Sequence, residues 1–90
     1  MHAVVVNVSI NDVERGVAML HEEVVPRASQ APGFVAGYWL KSDDNRGLSV
    51  LVVESEEAAR ALAQQVESGG PPSDAVTLES VEVREVMAHA

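Results

Sequence analysis

Two runs of aliphatic residues, Ala3–Ile10 and Leu48–Glu54, constrain the fold most strongly. Both are rich in valine, which favours the extended conformation. Strand side chains alternate between the two faces of a sheet, and here apolar residues occupy both faces. In the first run Val4 and Val6 point one way and Val5 points the other way. A strand that is apolar on both faces needs cover on both, so each run is predicted to be a central strand.

Two helices are predicted after these central strands. Asn11–Glu14 is typical of a helix start, with Asn11 as the cap and Glu14 at the capping-box position. Pro26 should end or kink this first helix. Ser55 is the predicted cap of the second helix, which Gly69–Pro72 should stop. The apolar faces are Val13, Val17, Leu20 and Val24 in the first helix, and Ala59, Leu62, Ala63 and Val66 in the second.

Two further strands complete the pattern. Phe34–Lys41 follows the turn signal Pro32–Gly33, and the polar segment Ser42–Gly47 predicts a hairpin to the next strand. The last strand, Thr77–Met87, is more polar, as an edge strand can be. The order βαββαβ with right-handed crossovers predicts a ferredoxin-like α+β fold, with a four-stranded antiparallel sheet and both helices on one face. We expect one domain over residues 1–90.

Composition argues against several classes of protein. The net charge is −8, with six basic and fourteen acidic residues, so neither nucleic acid nor an anionic membrane is an expected partner. No apolar run is long enough to span a bilayer, and no secretory signal is evident. The chain has no cysteine, which excludes disulfides and thiolate chemistry and fits a reducing cytoplasm. The three histidines lack metal-ligand spacing, so no metal is expected. No cofactor is expected either.

All three aromatic residues fall within one predicted strand, in the stretch APGFVAGYW. Alternation places Phe34 and Tyr38 on one face of that strand and Trp39 on the other. Trp39 has two interpretations, packing in the core or at an interface, and contact with a ligand.

The chain resembles the dimeric α/β-barrel superfamily, and within it the antibiotic-biosynthesis-monooxygenase-like (ABM-like) group. The resemblance rests on the βαββαβ order, on VVPRASQAPGF (Val24–Phe34) and on VVESEEAARAL (Val52–Leu62). It implies a homodimer. The group includes cofactor-independent oxygenases, haem-degrading enzymes, isomerases and proteins with no assigned reaction. The resembling haem enzymes bind iron through a histidine on the second helix, and Ser55–Ser68 contains none, so haem degradation is not expected.

Four residues are the predicted substrate-binding set, Asn7, His21, Tyr38 and Trp39, while the catalytic residues stay unknown. Asn7 interrupts an aliphatic strand, and in the resembling enzymes an asparagine on the first strand often contacts the substrate. A structural hydrogen bond is the other interpretation of this amide. His21 lies at the edge of the first helix's apolar face and is a candidate for proton transfer, although no carboxylate at helical spacing faces it.

Two functions stay open. One is a cofactor-independent monooxygenase acting on a small aromatic or polyketide-like substrate, and the other is a non-catalytic dimer that binds a ligand or regulates a partner. For either function, the central strands, which are apolar on both faces, predict a homodimer in which the two sheets pack against each other. The expected outward residues are Val5, Leu51 and Val53, with either the Val35/Trp39 or the Phe34/Tyr38 pair, because soluble monomers rarely expose so large an apolar patch.

Overall fold

A computed structural model of the chain describes residues 1–43, 45–69 and 75–90. Four strands and two helical regions follow one another in the predicted βαββαβ order. The first helix is built from three consecutive pieces. The elements are β1 (His2–Ile10), α1 (Val13–Met19), a π-helical turn (Leu20–Val24), α2 (Val25–Ser29), β2 (Phe34–Asp43), β3 (Arg46–Val53), α3 (Glu56–Gly69) and β4 (Val76–Glu85).

The strands form one antiparallel sheet in the order β2-β3-β1-β4. The prediction that β1 and β3 are the central strands is therefore confirmed, as is the ferredoxin-like α+β topology. Asp43 pairs with Arg46, so β2 and β3 form the expected hairpin, although Asp44 lies outside the described residues. α3 ends at Gly69 as predicted, and the remainder of the proposed stop, residues 70–72, also lies outside them. No helix among the described residues is long and apolar enough to cross a membrane.

The register of β1 and β3 decides which residues face the helices. Val4 pairs with Leu51 and Val5 pairs with Val50, and paired residues share a face. Leu51 is 4% exposed and lies in the core on the helix side. The expectation that Leu51 and Val53 face outward with Val5 was therefore wrong. The open face carries Val50 and its same-face neighbours instead, because the sequence pattern of each strand alone does not determine how the two strands pair.

A β-bulge at the start of β2 changes the predicted faces of the aromatic residues. Phe34 pairs with Val53, whereas Ala36 pairs with Val52, so the register shifts across Val35. The extra residue reverses the alternation, and Phe34 joins Trp39 on the helix side rather than sharing a face with Tyr38.

α3 covers the centre of the sheet and closes the core. Its start is capped as predicted, since the backbone N–H of Ala58 donates to Ser55 Oγ at 3.1 Å. Below it, apolar side chains from the two central strands and the inner face of α3 pack together. The buried cluster consists of Val4, Val6, Leu51, Val53, Ala59, Leu62 and Ala63.

The first helix departs from the sequence prediction at both its start and its middle. Asp12, rather than Asn11, is the cap, and its carboxylate accepts from the Arg15 backbone N–H at 3.2 Å. The Asn11 amide donates to Thr77 Oγ1 instead, at 3.0 Å. Pro26 was predicted to end or kink the helix; the helix does not end there but continues to Ser29, after a π-helical turn that directly precedes α2. A proline ring clashes with the carbonyl four residues earlier in an α-helix, and the wider turn directly before Pro26 relieves that clash.

Candidate ligand-binding cavity

A cavity of about 610 Å³ lies between the first helix and the sheet. This is within the range of about 300–1,000 Å³ that small-molecule sites occupy. Its walls come from the helix side of the sheet, from the first helix and from one edge of α3. The apolar lining includes Val6, Val8, Ile10, Val13, Val17, Met19, Leu20, Val24, Trp39, Leu51, Leu62, Val66, Val76 and Leu78.

The cavity exists because the first helix does not pack closely onto the sheet. No residue of α1 or of the π-helical turn is buried, in segments that the structure describes completely. α2 buries only Ala28. Val13 and Val17, on the predicted inner face, are 47% and 46% exposed. The apolar face of this helix therefore borders a cavity, whereas the apolar face of α3 borders a packed core.

Trp39 belongs to both the core and the cavity. Its indole packs against the buried cluster and also lines the cavity. The ring lies close over Gly37, where an added Cβ would be 2.9 Å from Trp39 Cη2 and 3.1 Å from Phe34 Cζ. A glycine at this position lets both rings approach the backbone of β2, which holds the indole against one wall.

Polar groups are sparse in the lining. They are Glu23, Arg27, Lys41, Ser49 and Gln65, together with backbone atoms. Glu23 comes from the π-helical turn and Arg27 from α2, while Lys41 and Ser49 come from the sheet. An apolar cavity with a few polar groups is suited to hold a small apolar molecule and to orient it.

The structure separates the four predicted site residues. Trp39 lines the cavity. Asn7, Tyr38 and His21 are not among the described residues that do so. Asn7 lies on the open face of the sheet, where its amide donates to Ser80 Oγ at 3.1 Å. Tyr38 is 59% exposed on the same face, and His21 is exposed on the π-helical turn. Roles for these four residues in binding stay predictions.

The charged residues of the lining were not among the predicted site residues, although the sequence carries two signals for them. Arg27 follows Val24 by three residues, which continues the inner face of the first helix. Lys41 follows Trp39 by two residues, which places it on the same face of β2. Neither residue was among the predicted site residues, because nothing in a single sequence marks the edge of a cavity.

Histidine is absent from the described lining, and the described residues contain no group of three acidic, histidine or cysteine side chains that could hold a metal ion. His2 lies in β1 with a side chain 17% exposed. Its Nε2 is 3.5 Å from Glu56 Oε2, and its Nδ1 is buried without a hydrogen-bond partner among the described residues.

A second cavity of about 280 Å³ lies beside the first, between the loop after α2 and the outer part of α3. Leu62 and Gln65 line both cavities. These two side chains therefore form the partition between them.

Two solved structures share the arrangement of strands and helices described above. One is a monooxygenase from the gene ActVA-Orf6 of Streptomyces coelicolor, in complex with nanaomycin D, with 16% sequence identity and a TM-score of 0.62; the match covers 99% of this chain and 89% of that chain. The other is the haem-degrader MhuD from Mycobacterium tuberculosis, with two haems in its active site. It is 24% identical with a TM-score of 0.56, over 97% of this chain and 98% of that chain.

The chain shares the fold of these two proteins. The resemblance that the sequence suggested is confirmed at the level of the fold. No protein-family model matches the chain, and no curated protein matches its sequence. A monooxygenase and a haem-degrader share this fold, so the fold does not select a reaction. The function has to be inferred from the cavity.

Proposed function

We propose that the chain binds a small, mainly apolar aromatic molecule in the cavity under the first helix. The observation that supports this is the incomplete packing there. The apolar face of the first helix borders a cavity of about 610 Å³. This helix therefore buries less apolar surface against the sheet than α3 does. A bound apolar ligand would bury this surface, and the complex would gain about 25 cal/mol of binding free energy per Å² of apolar surface removed from water.

The reaction that we propose for this site is cofactor-independent oxygenation of an ionised phenol. The phenolate supplies all four electrons and O₂ supplies the oxygen atoms. A carbon of the ring forms a bond to oxygen, and the O–O bond then breaks. One aryloxide, which loses the hydrogen of one ring C–H, reacts with one O₂ and gives one quinone and one hydroxide ion. The protein's part is to orient the phenolate against Trp39 and to keep water from the reacting carbon.

Thermal stabilisation by 2-naphthol tests the binding site, with Val17→Phe and Ala18→Phe as a matched pair. Val17 lines the cavity, while its neighbour Ala18 is exposed and is absent from the lining. At a free ligand concentration of 100 times Kd, binding should stabilise the wild type by about 2.7 kcal/mol. Val17→Phe places a ring at the cavity wall and should reduce this stabilisation, and Ala18→Phe should keep it. Equal responses of the two variants would contradict the assignment of the cavity.

Oxygen uptake separates catalysis from the non-catalytic alternative. A monooxygenase should consume one O₂ for each quinone formed, without accumulating hydrogen peroxide. A chain that is stabilised by the ligand and consumes no O₂ with any phenol tested would be a ligand-binding or regulatory protein.

We also propose that the chain is a homodimer that pairs through the open face of its sheet. The central and β2 strands place an apolar set on that face, while the β4 side is polar. Its members are Val5, Ala36, Tyr38, Leu40, Leu48, Val50 and Val52. Tyr38 and Leu40 are 59% and 49% exposed in the single chain. A second copy would cover this surface with the same surface in a closed two-fold arrangement.

Light scattering at micromolar concentration tests the dimer, with Val50→Glu and Ala18→Glu as the matched pair. Val50 lies at the centre of the open face, whereas Ala18 is exposed on α1. The wild type and Ala18→Glu should have twice the mass of the chain, and Val50→Glu should be a folded monomer. A folded monomeric wild type at these concentrations would rule out the proposed assembly.

A further inference from the structure

A single hydroxyl interrupts the row of β3 residues that faces the helices. That row consists of Gly47, Ser49, Leu51 and Val53. Ser49 pairs with Val6 on one side and with Trp39 on the other, and it lines the cavity. It is half-buried, and within the described parts of the chain its hydroxyl makes no hydrogen bond. A hydroxyl removed from water without a partner costs free energy, so this group is available to a ligand.

Lys41 lies next to Ser49 on the helix side of the sheet. Lys41 pairs with Gly47, and Trp39 pairs with Ser49 two residues further along β3. Lys41 and Ser49 are therefore diagonal neighbours on adjacent strands, about 7–8 Å apart, and both line the cavity. Gly47 adds no side chain to this corner. Lys41 is exposed and so lies at the rim, and among the described residues no ion pair or hydrogen bond engages its side chain.

The other charged side chains of the described lining lie towards the opposite end of the cavity. The first helix begins where β1 ends, beside the β2–β3 hairpin and hence near Lys41. It then runs back along the sheet, so that Glu23 and Arg27 come from its later turns. The loop after α2 leads directly to Phe34 at the start of β2, about 20 Å along the strand from Lys41. Lys41 is therefore the cation that accompanies Trp39 and Ser49.

We propose that Ser49 and Lys41 bind the ionised oxygen of an aryloxide whose ring lies against Trp39. This inference rests on the proposed function of the cavity and specifies the class of ligand, a phenol that is bound as its anion. The Ser49 hydroxyl donates a hydrogen bond to the oxygen, and the Lys41 ammonium supplies the opposite charge. The phenol proton leaves to solvent, which reaches Lys41 at the exposed rim.

Stabilisation of the anion is needed because a free phenol, with a pKa of about 10, is mainly protonated at neutral pH. A neighbouring cation lowers the pKa of an acid, whereas burial in an apolar cavity raises it. Lys41 therefore increases the fraction of bound ligand that is in the form able to transfer electrons to O₂.

Absorbance titration of bound 2-naphthol without oxygen tests the role of Lys41, because the anion absorbs at a longer wavelength than the phenol and no oxidation intervenes. With the full chain in excess, Lys41→Gln should lower the acid dissociation constant of the bound phenol about 10-fold relative to the wild type. Lys41→Arg should keep most of the wild-type value. Arg27→Gln, which removes the cation at the other end, should have a smaller effect. Arg60 is paired with Glu56 and is not in the described lining, so Arg60→Gln should have none.

Isothermal titration with 2-naphthol and with 2-methylnaphthalene tests the role of Ser49. The two probes have nearly the same shape, and only 2-naphthol forms hydrogen bonds. Ser49→Ala should lower the ratio of naphthol affinity to methylnaphthalene affinity about 3- to 10-fold. Ser68 is exposed on α3 and is not in the described lining, so Ser68→Ala should leave the ratio unchanged. The ratio is measured within each variant, so partial unfolding of a variant cannot imitate the effect.

An unchanged acid dissociation constant in Lys41→Gln, or an equally large effect of Arg27→Gln, would overturn the assignment of Lys41. An unchanged affinity ratio in Ser49→Ala would overturn the assignment of Ser49. If 2-methylnaphthalene still binds in those cases and Val17→Phe weakens its binding, the cavity remains a ligand site. Failure of both probes to bind would overturn the two proposals together.

Discussion

The two helices cover the same face of one sheet and yet relate to it in different ways. α3 buries Ala59, Leu62 and Ala63 against the central strands. The first helix buries only Ala28, although its sequence offers an equally apolar face. Since burial of apolar surface is the main source of stability, α3 contributes to the stability of the fold. The first helix provides one wall of the cavity.

A matched pair of leucine truncations should give the largest contrast between the helices. Leu62 is 7% exposed, and Leu20 is only partly buried beside the cavity. We expect Leu62→Ala to lower the free energy of unfolding by about 2–3 kcal/mol, within the range for buried leucines. Leu20→Ala should lower it by less than about 1 kcal/mol. Urea denaturation measures both, and equal losses would show that the first helix belongs to the core.

Native-state hydrogen exchange should resolve the same difference along the chain. Segments with few buried contacts open more readily than the core. Amides of residues 17–25 should exchange at least about 10-fold faster than those in the middle of α3. Adding 2-naphthol should slow exchange in the first helix and leave α3 almost unchanged. Uniform protection by the ligand across both helices would mean that binding stabilises the whole domain and does not act through the first helix.

Replacing Pro26 should have the smallest effect of these changes. It tests whether the proline ring causes the π-helical turn. Pro26→Ala restores a backbone N–H donor and removes the ring that disfavours a regular α-helix, so we expect stability to rise by about 1 kcal/mol. Pro32→Ala, outside the helix, is the control and should not increase stability. The helical signal in circular dichroism should rise with Pro26→Ala. A loss of stability would show that the π-helical turn does not depend on Pro26.

Much of the fold followed from local patterns. Alternation and valine content predicted the strands, and helical spacing predicted both helices. Ser55 was recognisable as a cap because a serine before acidic residues satisfies the free N–H groups of a helix start. The apolar residues on both parities of β1 and β3 identified these as the central strands, since only such strands require cover on two sides. These features depend on residues within a few positions of one another, and so the sequence by itself determined them.

Other features were decided only by tertiary structure. Val5 pairs with Val50 rather than with Leu51 because register depends on how two strands meet, and the bulge at Val35 moved Phe34 to the other face. The cavity arises because the first helix packs less closely than α3, which no local pattern records. Arg27 and Lys41 come from different elements, and both line that cavity. A cavity of this kind depends on how helices and strands are placed in space, while the sequence pattern determines mainly what each of them is.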